Sequence, residues 1–191
     1  KGRSYADHHA LFDSTRGVGQ IQYTNGTYTD GDDTSTLDEF RSDGFGVGTD
    51  SAGLVNKDSE TYVAWNWKAN GGTTTTNDAS ATSVGSIDSV YQANTTAGFS
   101  IVTYTGSGTN NTDLGIAHGL GVTPKMVWVK NRSSGTIGGY GTHWQVYNSN
   151  LSASGTYGIK NILLNTDGAE SEKSDYIKTT SSTTFTIRSD A

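Results

Sequence analysis

Cysteine is absent from the 191 residues, so the chain has neither a disulfide framework nor a thiolate zinc site. Proline occurs once and methionine once. Charge is thin as well: 17% of residues are Asp, Glu, Lys or Arg, against about 25% in an average domain. The net charge of −6 and pI near 5.0 argue against nucleic acid or an anionic membrane as partner. No apolar run approaches the ~18–20 residues of a membrane span, so membrane insertion is not expected. The first residues carry no signal-peptide pattern. Glycines and β-branched residues break every candidate heptad, which excludes a coiled coil.

What fills the chain is Thr, Ser, Asn and 25 glycines. With 32% hydrophobic residues and a mean hydropathy of −0.54, disorder is the competing state. Four Trp, ten Tyr and five Phe, set among Val and Ile, oppose it over most of the length. These apolar residues alternate instead of recurring three and four apart. Alternation predicts strands over Tyr62–Trp67, Phe99–Tyr104, Lys125–Lys130, Trp144–Tyr147, Ile159–Leu164 and Thr184–Arg188. Asn25-Gly26, Asp30-Gly31, Asp43-Gly44 and Asp167-Gly168 supply turns. Ser35–Phe40 is the only helix candidate, and it is short. The expected fold is all-β, made of antiparallel, jelly-roll-like β-sandwich units.

Residues 70–83 hold no large apolar side chain and cannot offset their own ordering entropy. The segment 70–96 is therefore expected to be a linker or an extended arm. It separates residues 1–69 from residues 97–191.

The two flanking parts look like copies of one unit. Lys1-Gly2-Arg3-Ser4 echoes Lys130-Asn131-Arg132-Ser133, 129 residues on. Ala10-Leu11-Phe12-Asp13-Ser14 echoes Gln145-Val146-Tyr147-Asn148-Ser149, 135 residues on. Residues 43–48 stand where 183–188 would, 140 residues on. Growing offsets are what loop insertions produce, and Ser134–Gly141 is the obvious insertion. The chain then holds about one and a half repeats: 1–69 as the second half of a first, 97–191 as a second without its last strand. The first copy lacks counterparts of the strands at 99–105 and 126–129, and the second lacks one of Tyr62–Trp67. Such truncated units leave open sheet edges. Either the chain is a fragment, or the copies share strands, or neighbouring subunits lend them. Strands bearing Tyr62, Val63, Trp65, Trp67, Phe99, Ile101 and Trp128 are the candidates for assembly.

The run Gly98–Gly106, then His118-Gly119-Leu120-Gly121-Val122-Thr123-Pro124-Lys125-Met126, then Val129-Lys130-Asn131-Arg132-Ser133, resembles a repeat in tail-fibre and related virion proteins of marine bacteriophages. Leu11–Gly17, Leu37–Phe45 and Glu60–Ala69 resemble the second half of the same unit. The resemblance implies a structural virion appendage protein, extracellular on the particle and supporting attachment to the host surface. Its expected partners are itself and other virion proteins. Phage fibres being usually threefold, the implied homo-oligomer is a trimer. A glycan-binding adhesion module and a subunit of a bacterial extracellular filament are the alternatives.

Chemistry-bearing clusters are sparse. Asp7-His8-His9 with Asp13 is the densest, but neighbouring histidines on a strand face opposite ways. Asp30, Asp32 and Asp33 form an oxygen-rich loop of the kind that takes calcium, without EF-hand spacing. No other cofactor is expected. His118-Gly119-Leu120-Gly121 reads as a glycine-bent turn, since no helix follows to complete a phosphate loop. Asp38, Glu39 and Glu60 are glycosidase candidates only in the sense that every chain has some carboxylates, and no nucleophile elbow occurs. The expectation is no enzyme. For a host surface glycan, Tyr23 and Tyr28 are the exposed-aromatic candidates. Trp65 and Trp67 would share a strand face with Val63, as core or as platform.

Overall fold

The computed structural model describes residues 1–109, 112–134, 136–137, 140–152, 160–172 and 177–189. Strands run in chain order β1 (Ala10–Leu11), β2 (Gln20–Tyr23), β3 (Gly31–Asp32), β4 (Leu37–Phe40), β5 (Phe45–Val47), β6 (Thr75–Asn77), β7 (Ser89–Asn94), β8 (Phe99–Tyr104) and β9 (Thr112–Ala117). They continue with β10 (Met126–Val129), β11 (Thr136–Ile137), β12 (Tyr140–Gly141), β13 (Gln145–Asn148), β14 (Lys160–Leu163), β15 (Ser171–Glu172), β16 (Ile177–Thr180) and β17 (Thr184–Ser189). Among the described residues the only helix is a single turn, α1 (Ala79–Thr82), capped by the Asp78 carboxylate on the Ala81 N–H. The protein is all-β, built from small antiparallel sheets in a sandwich-like manner.

One compact unit comprises Lys1–Trp67 with Asn131–Trp144. Its sheets are β1-β2-β3, β4-β5 and β11-β12. Ile21, Thr36, Leu37 and Leu54 are buried in it, and so is Trp144, whose indole N–H donates to the Tyr23 carbonyl at 2.9 Å. The other unit comprises Lys68–Lys130 with Gln145–Ala191, with sheets β6-β7-β8, β16-β17-β9 and β10-β13-β14-β15. Its core lies between the three sheets. Leu114 and Ile116 from β9 and Phe185 from β17 are buried, and Val102 and Tyr104 from β8 and Val127 and Val129 from β10 pack on them. Along β10 the period of two is explicit: Val127 and Val129 turn inward, Met126 and Trp128 outward.

The repeat is written in the strand pairing. Ala10↔Tyr23 and Leu11↔Gln22 recur as Gln145↔Leu163 and Val146↔Ile162. Gln20↔Asp32 and Ile21↔Gly31 recur as Lys160↔Glu172 and Asn161↔Ser171. Leu37↔Val47, Glu39↔Gly46 and Phe40↔Phe45 recur as Ile177↔Ile187, Thr179↔Thr186 and Thr180↔Phe185. Even the register shift recurs, after Leu37 in one hairpin and after Ile177 in the other. A one-residue slip would turn every side chain over, so matched registers mark matched units.

Several expectations need correction. Tyr62–Trp67 is not a strand: Tyr62 bridges Gly2, Val63 exchanges backbone hydrogen bonds with Lys1, and no ladder continues. Alternation records which faces a segment offers, not whether a partner strand exists. Residues 70–96 carry β6, α1 and β7 as part of a three-stranded sheet with β8. What β7 buries is polar: Ser89 donates to the Ala117 carbonyl, and Gln92 accepts from the Gly72 N–H at 2.9 Å. Ser35–Phe40 is a turn leading into β4, not a helix. Gly31 pairs with Ile21 within a ladder instead of turning the chain. Ile159, expected at the head of β14, and part of the Ser134–Gly141 insertion lie outside the described residues.

Candidate functional site

The assembly candidates fall into two kinds. Phe99 and Ile101 lie on β8, half-buried within their unit and paired with Asn94 and Gln92. Trp65, Trp67 and Trp128 are surface residues, at 67%, 60% and 43% exposure. Tyr62 is part of a different construction. Its hydroxyl lies 2.9 Å from that of Tyr5, both hydroxyls donate to the Gly53 carbonyl, and the Lys57 N–H donates to Tyr62 at 2.8 Å. Burial and the neighbouring Tyr62 push the Tyr5 phenol up from its ordinary value. This knot pins the loop 50–62 to residues 2–5. It also borders an open polar cleft of about 590 Å³ that includes Asp7, Asp50 and Asn56.

Among the exposed apolar residues that alternation did not single out are Phe40, Phe45 and Val47, on the β4–β5 hairpin. The signal was available in the repeat. Phe45 aligns with Phe185 and Val47 with Ile187, and both of those pack in the core of their own unit. In that unit β17 pairs with β16 on one side and β9 on the other. In the first copy β5 has only β4, and among the described residues no strand lies along its other edge. Among the described residues β1 is likewise an edge, where its counterpart β13 is flanked by β10.

Tyr23 and Tyr28 do come together. Their ring centroids are 5.6 Å apart and edge-on, with His8 at 4.7 Å from Tyr23 and 5.1 Å from Tyr28. The outer ring, Tyr28, is 52% exposed, and Tyr23 and His8 form a half-buried floor beneath it. Burial raises the Tyr23 phenol above its ordinary value, helped by the carboxylates of Asp33, Asp7 and Asp50. The geometry is that of an amphipathic aromatic platform.

The three aspartates do not converge. Asp30 takes Arg16 at 3.2 Å and Arg132 at 2.6 Å, Asp32 takes the Gln20 amide, and Asp33 takes the Ser35 N–H and hydroxyl. Among the described residues no group of three or more His, Asp or Glu is placed to hold a metal ion. Arg16 is itself nearly buried, clamped between Asp13 and Asp30, so these carboxylates complete an ion-pair network. The Asp7-His8-His9 cluster is divided too: Asp7 caps the His8 N–H, His8 packs tilted against Tyr23 and edge-on to Tyr28, and the His9 N–H goes to Asn25. Glu39 pairs with Arg41 and Glu60 accepts from Ser4.

His118 is buried and holds its turn. Its Nδ1 accepts the Leu120 N–H at 3.1 Å and its Nε2 faces the Ser181 carbonyl at 3.2 Å, which fixes a neutral imidazole with the proton on Nε2. Burial lowers its basicity, partly opposed by the bond to Ser181. Gly119 next to it has φ +70°, and a Cβ there would overlap the Tyr91 ring.

A family model described as a domain of unknown function, DUF7483, matches residues 1–191, the whole chain, and the chain belongs to that family. No curated protein matches it. No solved structure matches it either.

Proposed function

We propose that this member of the DUF7483 family is a non-enzymatic structural repeat module of a bacteriophage tail fibre or related virion appendage, working extracellularly as a homo-oligomer. The observation that carries the reading is the unequal completion of the two copies: the same hairpin is covered by a third strand in one and bare in the other. A bare edge with Phe40, Phe45 and Val47 exposed beside it is a liability for a free monomer and a joint for an assembling one. The sequence resemblance supports the setting, with threefold symmetry the expected arrangement. The module would act mechanically, spanning distance and transmitting attachment to a tip.

Electron microscopy of purified native material, with class averages that resolve subunits, tests this directly. Rods with a regular repeat and countable subunits are expected. Dispersed monomers at micromolar concentration would overturn it.

A glycan-binding role is the second reading, and the platform of Tyr28 over Tyr23 and His8 favours it. It predicts binding on a glycan array that is lost on Tyr28→Ala. A flat array with folded protein would remove it. Calcium, if the Asp30 loop takes it, would have to displace Arg16 and Arg132, and unchanged melting with and without a chelator is expected.

A further inference from the structure

Resting on the assembly reading above, we infer that β5 is an acceptor for a specific kind of strand: an extended segment with the pattern of β9, laid antiparallel along its open edge. The second copy shows what such an edge takes. There β9 lies on β17 with Ile116 opposite Phe185, Gly115 opposite Thr186 and Leu114 opposite Ile187. Carried onto the first copy through the matched hairpin registers, the incoming strand sets an Ile116-type residue opposite Phe45 and a Leu114-type residue opposite Val47. Phe185 is 5% exposed under its strand, whereas Phe45 without one is 39% exposed. The missing strand thus has a stated chemistry: two aliphatics flanking a glycine, alternate side chains entering the apolar face.

The chain's own β9 is not the donor. One edge of it is paired with β17. On the other, the Ser86 N–H donates to the Gly115 carbonyl at 2.8 Å, the Gly115 N–H donates to the Ser86 hydroxyl at 2.8 Å, and Ser89 donates to Ala117. Each chain therefore offers two acceptor edges, β5 and β17, for one β9. Exchange of β9 among copies of these residues would always leave one acceptor bare.

Charge refines the pattern. Asp113 on β9 pairs with Arg188 at 2.7 Å, but the position equivalent to Arg188 in the first copy is Gly48. The Asp38 carboxylate lies close by, 2.6 Å from where a Cβ on Gly48 would be. An acidic residue at that point of the donor would meet Asp38 without a cation between them. A basic one would pair with it.

Hydrogen exchange on the full chain, with and without a synthetic peptide of residues 112–120, tests the inference. The peptide is expected to slow exchange of the Phe45–Gly48 amides by about tenfold or more, and an Asp113→Lys peptide to do so at lower concentration. A scrambled peptide should do nothing. Phe45→Asp should abolish the protection; that side chain is exposed, so the variant is expected to keep the β4–β5 hairpin. No protection at millimolar peptide, with that hairpin intact, would overturn the proposal. Protection at 184–189 instead would overturn it too. A weaker Asp113→Lys peptide would overturn the register. Sedimentation of native material separates this from the appendage reading: fibres with an unprotected β5 sink only the strand, and peptide docking by a native monomer sinks only the appendage.

Discussion

The two copies of the repeat share strand order, register and register shift, yet differ in what they bury. Leu37 and Ile177 are buried alike at the start of their hairpins. Eight residues later the likeness ends, with Phe45 open and Phe185 closed under β9. The hairpin is thus specified locally, by alternation and the Asp43-Gly44 turn, and does not need its covering strand to form. What the covering strand adds is a core: β8, β9 and β10 supply most of the apolar side chains around Phe185, and among the described residues the first copy has a counterpart of none of the three.

The contrast is broken most severely at those two phenylalanines. Phe185→Ala should cost about 3–5 kcal/mol, the usual range for emptying a packed aromatic site. Phe45→Ala should cost markedly less, about 1 kcal/mol, in the isolated chain, because the ring at 39% exposure has less packing to lose than Phe185 at 5%. Urea unfolding, followed unit by unit by hydrogen exchange, measures both. Equal costs would mean that Phe45 is packed in the first copy as Phe185 is in the second.

The copies differ next in their ion pairs. Arg16 is clamped between two carboxylates and nearly buried, whereas at the position of Asp30 the second copy has Glu170, paired on the surface with Lys160. Lys160 and the Ser152 hydroxyl hold the Glu170 carboxyl down at about 2. Arg16→Ala should cost about 3–5 kcal/mol by taking the nearly buried cation from Asp13 and leaving Asp30 with Arg132 alone. Lys160→Ala should barely move the melting temperature. A large effect at Lys160 would erase the distinction.

Smaller effects sharpen the picture of the covered copy. Gly119→Ala combines a left-handed backbone with overlap on Tyr91, and should cost roughly 2–4 kcal/mol. His118 should make stability depend on pH. Its folded basicity is depressed, so the unfolded chain binds the proton more readily as pH falls below about 6.5. The contribution is fully present above that pH and is lost as pH falls toward the lower folded value. His118→Gln should flatten that slope in chemical denaturation across pH 7 to 5.

Much of the second copy could be read in its residues. Phe99–Tyr104, Met126–Val129 and Thr184–Arg188 alternate because each has one face on the core. The polar strand β7 could not be read, since it buries Ser89 and Gln92 through hydrogen bonds that composition does not reveal. Tyr62–Trp67 misled for the opposite reason: its alternation suits a strand whose neighbour is not there. The pairing of Tyr23 with Tyr28 was legible only as two aromatics in a polar stretch, because a hairpin connection and His8 bring them together. The open edge at β5 needed both levels, the repeat to align Phe45 with Phe185 and the structure to show one of them uncovered.

The measurement closest to the central claim compares hydrogen exchange at Phe45–Gly48 and Phe185–Arg188 in the isolated chain and in native assembled material. The account predicts slow exchange at Phe185–Arg188 in both, and exchange at Phe45–Gly48 that is fast in the isolated chain and slow in the assembly. Fast exchange at Phe45–Gly48 in the assembly, or protection equal to that of Phe185–Arg188 in the isolated chain, would contradict it.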